Sequence, residues 1–137
     1  MCKGESTMAK LTKEYQCSLQ LLDALIGGKW KMRIVYYLLG GTKRFSELTK
    51  MIPGITQKTL TQQLRELEEA DIVTRKIYAE MPPRVEYSLT EYGQKLERAS
   101  KDLSLWSHRY AIAKEIDVST KVNHPEIYEN ETEQNTR

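Results

Sequence analysis

Cysteine is scarce in this chain: only Cys2 and Cys17 occur among 137 residues. Two thiols are too few for a disulfide framework or a zinc site. Histidine is equally sparse. His124 falls in a polar tail, and His108 shares a helix-like run with Trp106 and Tyr110, with no paired carboxylate evident beside it. No glycine-rich loop has the spacing that cradles a phosphate; Gly27-Gly28 and Gly40-Gly41 read as helix breaks. These absences argue against an enzyme, and no cofactor or metal is expected. No apolar run approaches the roughly 20 residues that span a bilayer. The start, MCKGESTMAKLTKEY, lacks the apolar centre of a secretory signal. A cytoplasmic protein without a membrane partner is therefore expected.

What is present is an ordinary globular composition, 39% hydrophobic and 29% charged. The length suits one domain with a modest core. Net charge is +2 but unevenly spread. Residues 117–137 hold five acids and two bases, so the remainder carries +5. A moderately basic body with an acidic tail permits a nucleic-acid partner without requiring one. The polar residues 116–137 have no apolar period and are expected to be disordered. Residues 1–16 are expected to form a loose arm, leaving 17–115 as the folded domain.

Within that domain the elements are short. CSLQLLDALI (17–26) places Leu19, Leu22 and Leu25 or Ile26 on one helical face. KWKMRIVYYLL (29–39) carries a stripe of Trp30, Ile34 and Leu38, and FSELTKMI (45–52) one of Phe45, Leu48 and Ile52. Pro53-Gly54 is a turn. A longer helix over 56–70 buries Leu60, Leu64 and Leu67. IVTRKIYA (72–79) and RVEYSL (84–89) read as strands joined at EMPP, and Thr90 can N-cap a last helix from about 91 to 115. The order predicts a mainly α chain with a small β-hairpin, an α+β winged helix-turn-helix with extra N- and C-terminal helices.

The helix over 56–70 has its charge inverted. Lys58, Thr59, Gln62 and Arg65 come first and Glu66 and Glu69 last, whereas a helix dipole favours acids at its start. A polyanionic partner resolves the inversion. In a helix-turn-helix the second helix enters the major groove by its N-terminal end, where free N–H groups and positive dipole favour phosphate. Thr56, Gln57, Lys58, Thr59, Gln62 and Arg65 are the candidate contacts to phosphates and base edges. The late acids are expected at the solvated end that has left the groove. A solvated face without a ligand is the bland alternative.

Pro82-Pro83 stiffens the hairpin tip beside Arg84, which suits the minor groove or a backbone phosphate; a plain turn with an exposed Arg is the alternative. Lys43 and Arg44 are candidates for flanking phosphates. Tyr92, Leu96, Ala99, Leu103, Trp106, Tyr110 and Ala113 are spaced alternately 4 and 3, a seam of period 3.5, and Leu105, Ile112 and Ile116 widen it. A second copy of the chain is the favoured mate, with Leu19, Leu22, Leu96, Leu103, Trp106 and Tyr110 as dimer contacts; packing on its own domain is the alternative. Two-fold symmetry then predicts a palindromic operator in double-stranded DNA. Cys17 opens a helix with Lys13 one turn before it, a setting that favours a reactive thiolate. It is equally a small residue able to pack beside Leu21 and Leu22. The rival to DNA binding is a winged-helix module for protein partners, and salt-dependent binding to duplex DNA separates the two.

GGKW (27–30), RFSEL (44–48), PGITQKTLTQQLRELEEADIV (53–73), PPRVEYSLTEYG (82–93) and the Cys before the first helix resemble the HxlR family of bacterial transcription regulators. The resemblance runs from about Cys17 to the end of the last helix, with five motifs in order. It implies a dimeric winged-helix regulator, cytoplasmic and nucleoid-associated when bound to DNA, that contacts its mate through the N- and C-terminal helices. It also implies that a Cys at position 17 can sense oxidants or electrophiles; whether the inducer is a redox signal or a small molecule stays open. Two positions depart from the usual pattern: Gln63, where a basic residue is common, and Ser18, where many members have Pro.

Overall fold

A computed structural model of the protein describes residues 11–118. The expectations for Cys2, His124 and most of the acidic tail lie outside the described residues. Two compact units divide the chain after Gln94.

The first unit holds α1 (Ser18–Ile26), α2 (Lys31–Leu38), β1 (Lys43–Arg44), α3 (Phe45–Met51), α4 (Gln57–Glu69), β2 (Val73–Tyr78), β3 (Arg84–Leu89) and α5 (Glu91–Gln94). Its core is the meeting of the predicted stripes. Ile34, Val35 and Leu38 of α2, Leu48 of α3, Ile52 after it, and Leu60, Leu64 and Leu67 of α4 are all at most 1% exposed. Each such side chain stabilises the fold by about 1.5–3 kcal/mol of burial. Ile55 is also buried and pins the turn between α3 and α4 from inside, while Gly54 supplies a φ of 82° that side chains disfavour. The helix pair is therefore fixed at its joint as well as along its faces.

α4 ends in a Schellman arrangement. Asp71 adopts φ 58°, and the Asp71 and Ile72 amides donate to the carbonyls of Glu68 and Leu67. The chain thereby reverses directly into β2. β2 and β3 form an antiparallel hairpin pairing Val73 with Leu89 through Tyr78 with Arg84. The predicted alternation holds at Tyr87 and Leu89, which are buried on one face, while Val85 near the tip is half-buried. Burial holds the Tyr87 phenol above its ordinary range, with the nearby Arg75 opposing.

Two elements differ from expectation. A strand too short to show a period, β1, adds to the hairpin in the order β1-β3-β2, pairing Lys43 with Tyr87 and Arg44 with Glu86. The last helix is not continuous from 91 to 115. It divides into α5 and, in the second unit, α6 (Glu97–Ala113). Gly93 lies just before the interruption and is a poor helix former. Its lack of a side chain has a packing reason: a Cβ there would collide with the Ile72 carbonyl oxygen. Thr90 caps α5 as expected, its Oγ1 accepting the Gly93 amide at 3.1 Å and donating to the carbonyls of Asp71 and Ile72.

α6 is described by itself. Leu103, Trp106, Tyr110 and Ile112 are 56%, 64%, 49% and 67% exposed. The Trp106 and Tyr110 rings stack at 5.7 Å between centroids. Tyr92 of the expected seam belongs to α5, so the helical run of that seam on α6 begins beyond Leu96, its N-cap residue. Among the described residues no helix is long and apolar enough to cross a membrane.

Candidate nucleic-acid interface

The start of α4 is built by its own hydroxyls. Thr56 is the N-cap, and its Oγ1 accepts the Thr59 amide at 3.1 Å and donates to Thr59 Oγ1 at 2.9 Å. Thr61 Oγ1 donates back to the Gln57 carbonyl at 2.8 Å. The first turn holds no acid. Thr56, Gln57, Lys58 and Arg65 are exposed, and Thr59 and Gln62 are half-buried. One helix thus buries its leucines and shows solvent a basic, amide- and hydroxyl-rich start.

The far end of α4 corrects the sequence reading. Glu66 is not a solvated acid; it is 1% exposed. Its Oε2 lies 2.8 Å from Nζ of Lys31, which is 6% exposed at the start of α2. Its Oε1 accepts Gln62 Nε2 at 3.2 Å. Glu66 sits off the leucine stripe, and hydrophobic periodicity gives no sign that α2 covers this flank as well. Only Glu69 keeps the expected exposure. Lys31, in a stretch otherwise read through its apolar stripe, was the residue whose burial the sequence left unannounced.

The wing also differs in detail. Arg84 is not a bare cation at the tip. Its Nη2 lies 3.2 Å from Glu80 Oε1, and its Nε lies 3.4 Å from Glu86 Oε1 without hydrogen-bond geometry. The guanidinium carbon rests 4.0 Å from the centroid of Tyr78, its cross-strand partner. A groove of about 440 Å³, lined by Arg44, Phe45, Ser46 and residues 80–85, runs between the start of α3 and the wing loop. Lys43 is half-buried in β1, whereas Arg44 is exposed. The Arg44 amide donates to Glu47 Oε1 at 3.1 Å. Lys29 and Arg33, which the sequence reading did not single out, flank the Trp30 ring at 4.6 and 4.8 Å.

Cys17 is the N-cap of α1 and its thiol is exposed, so the packed alternative beside Leu21 and Leu22 is not what the fold adopts. Leu19 and Leu22 on the same helix are 69% and 37% exposed, while Ile26 is buried. Among the described residues no cluster of His, Cys, Asp and Glu is arranged to hold a metal ion.

A helix pair joined by a tight turn, the second helix offering its basic start, followed by a two-stranded wing: this is the winged helix-turn-helix of DNA-binding regulators. The HxlR-like helix-turn-helix family matches residues 25–115, and the chain belongs to that family of transcriptional regulators. It is similar to the HTH-type transcriptional regulator YkvN of Bacillus subtilis strain 168, 48% identical over 99 residues that cover 72% of this chain and 84% of YkvN. Among solved structures it resembles the redox regulator HypR in its oxidized form, with a TM-score of 0.65 and 45% identity over 68% of this chain and 96% of that one. The reduced form of the transcriptional regulator YodB from B. subtilis gives a TM-score of 0.60 and 36% identity, covering 70% of this chain and 95% of YodB. These relatives are regulators rather than enzymes.

Proposed function

We propose that the folded domain, residues 17–115, acts as a dimeric, sequence-specific DNA-binding regulator that seats the N-terminal half of α4 in the major groove and the wing near the minor groove or backbone. The observation that carries this reading is the acid-free, capped start of α4, exposed at Thr56, Gln57 and Lys58 while its leucines are buried. Thr59, Gln62 and Arg65 extend the contact surface along the helix, and Lys43 and Arg44 reach flanking phosphates. Two copies related by a two-fold axis read a palindrome with half-sites one DNA turn apart or a multiple of it.

The test is anisotropy titration, over a salt series, of a duplex selected from a randomised library and of a random duplex. Gln62→Ala is expected to reduce discrimination between them by about 1–3 kcal/mol, the worth of a bidentate base contact. Lys58→Ala should weaken both duplexes alike and lower the salt slope by about one. Arg84→Ala should lower that slope by less, because Glu80 and Glu86 already offset its charge and a phosphate must displace them. Parent-like binding by Gln62→Ala and Lys58→Ala, in a folded protein, would refute the placement of α4.

Cys17 supplies the signal input in this reading. Its exposure, and the likeness to a protein described as a redox regulator, support an oxidant or electrophile acting at α1. Brief diamide treatment followed by peptide mass spectrometry should modify Cys17 before Cys2 and change operator affinity in the parent but not in Cys17→Ser. A Cys17 that stays unmodified, or is modified with no change in DNA affinity, assigns the inducer to another signal.

A further inference from the structure

The carboxylate of Glu66 bridges two side chains at once. Oε2 faces the Lys31 ammonium at 2.8 Å, and Oε1 accepts Gln62 Nε2 at 3.2 Å. Lys31 and Glu66 are buried, and Gln62 lies at the edge between that buried pair and the exposed face of α4. An ionised carboxylate only accepts hydrogen bonds. The amide group of Gln62 must therefore turn its nitrogen toward Glu66 and its Oε1 away. Without such a partner a glutamine amide rotates, and its oxygen and nitrogen exchange places at little cost. We infer that Glu66, held by Lys31, is a positioning residue for base reading. It presets the Gln62 amide so that Oε1 and the second N–H face the groove, the pattern complementary to N6 and N7 of adenine. The inference rests on the reading of Gln62 as a base contact, and it adds that the base is adenine and that the buried ion pair sets the orientation.

Adenine offers an acceptor at N7 and a donor at N6, the pair that a fixed glutamine amide matches in two hydrogen bonds. Orienting the amide before binding removes the rotamer cost from the binding step. A buried ion pair contributes little net stability against an apolar pair of the same volume, so retaining one here needs a reason beyond stability. Holding a reader in one orientation is such a reason.

The test uses the library-selected duplex, with 7-deazaadenine placed in turn at each adenine of a half-site. For the parent, one position should lose roughly tenfold in affinity, the worth of one good base contact. That position should be the one at which Gln62→Ala no longer distinguishes adenine from 7-deazaadenine. The double variant Lys31→Met/Glu66→Leu exchanges the ion pair for an apolar pair and keeps the helix packing, checked by circular dichroism. It is expected to lose the distinction at that same position, to keep the parent's affinity for random DNA, and to show no further loss when Gln62→Ala is added. Side-chain amide relaxation in the unmodified protein gives a second measure that needs no variant. The Gln62 Nε2 group should be ordered while that of exposed Gln57 is mobile. A folded double variant that still distinguishes 7-deazaadenine overturns the positioning role while leaving Gln62 a reader. A uniform loss on all DNA, or a Gln62 amide as mobile as that of Gln57, overturns it as well. Should Gln62→Ala keep the parent's discrimination everywhere, the reading of Gln62 fails and this inference fails with it.

Discussion

Glu66→Ala is expected to lower folding stability by about 3–5 kcal/mol, because it leaves the Lys31 ammonium buried without its carboxylate. The loss is a large share of a domain's total, which is about 5–15 kcal/mol. Both residues are nearly inaccessible, at 6% and 1% exposed, so water cannot take over the role of the missing partner without opening α2 from α4. The removal of Oε1 also strips Gln62 of its acceptor. By contrast Lys31→Met/Glu66→Leu removes both charges together and is expected to lie near neutral, since a well-packed apolar pair often matches a buried ion pair. Urea unfolding followed by circular dichroism checks both. The contrast between the single and the double change is the diagnostic feature. A Glu66→Ala variant within about 0.5 kcal/mol of the parent, as surface substitutions usually are, would show that the pair is solvated in solution.

The leucine stripe of α4 was legible because three apolar residues at helical spacing state which face is inside, and Leu60, Leu64 and Leu67 all prove buried. Glu66 was illegible for the complementary reason. Hydrophobic periodicity reports faces covered by apolar side chains, and the α2 flank of α4 is covered by a charge pair instead. The two members stand 35 residues apart in sequence, so no local spacing connects them. The wing shows an intermediate case. Arg84 and Glu86 alternate on one strand and therefore share a face, which the sequence displays, but the same spacing does not say whether the Arg84 cation turns to Glu86 or to solvent at the tip. The stacking on Tyr78 follows only from the hairpin register that sets it opposite Arg84. β1 is a two-residue strand, too short to carry any period at all. The break before α6 is legible in hindsight: Gly93 interrupts a helical pattern, and its reason is the approach of the Ile72 carbonyl, a long-range contact.

Leu103→Asp is expected to turn a dimer into a folded monomer and to weaken binding to a full palindrome by roughly 10²-fold or more. One face of α6 carries Leu103, Trp106 and Tyr110, each about half to two-thirds exposed in the single chain. Apolar side chains repeated along one helical face mark a surface that a partner covers. The 3.5-residue spacing suits a helix of a second copy. Burial against that copy stabilises the pair by about 1.5–3 kcal/mol for each large side chain fully covered. An Asp at position 103 points to water in the isolated chain and costs the fold little. In the dimer it must be desolvated in an apolar seam, at several kcal/mol unless it escapes. That difference between the two states directs the substitution at assembly rather than folding. Without a mate each α4 meets one half-site alone, and the second binding event is no longer intramolecular, so affinity for the palindrome falls while affinity for an isolated half-site holds. Sedimentation equilibrium at micromolar concentration should give a dimer for the parent and a monomer for Leu103→Asp, with matching far-ultraviolet circular dichroism. Leu19→Asp, on the exposed face of α1, should act in the same direction if that helix shares the interface. A parent that sediments as a monomer at these concentrations would assign the α6 face to some other partner and withdraw the expectation of a palindromic operator.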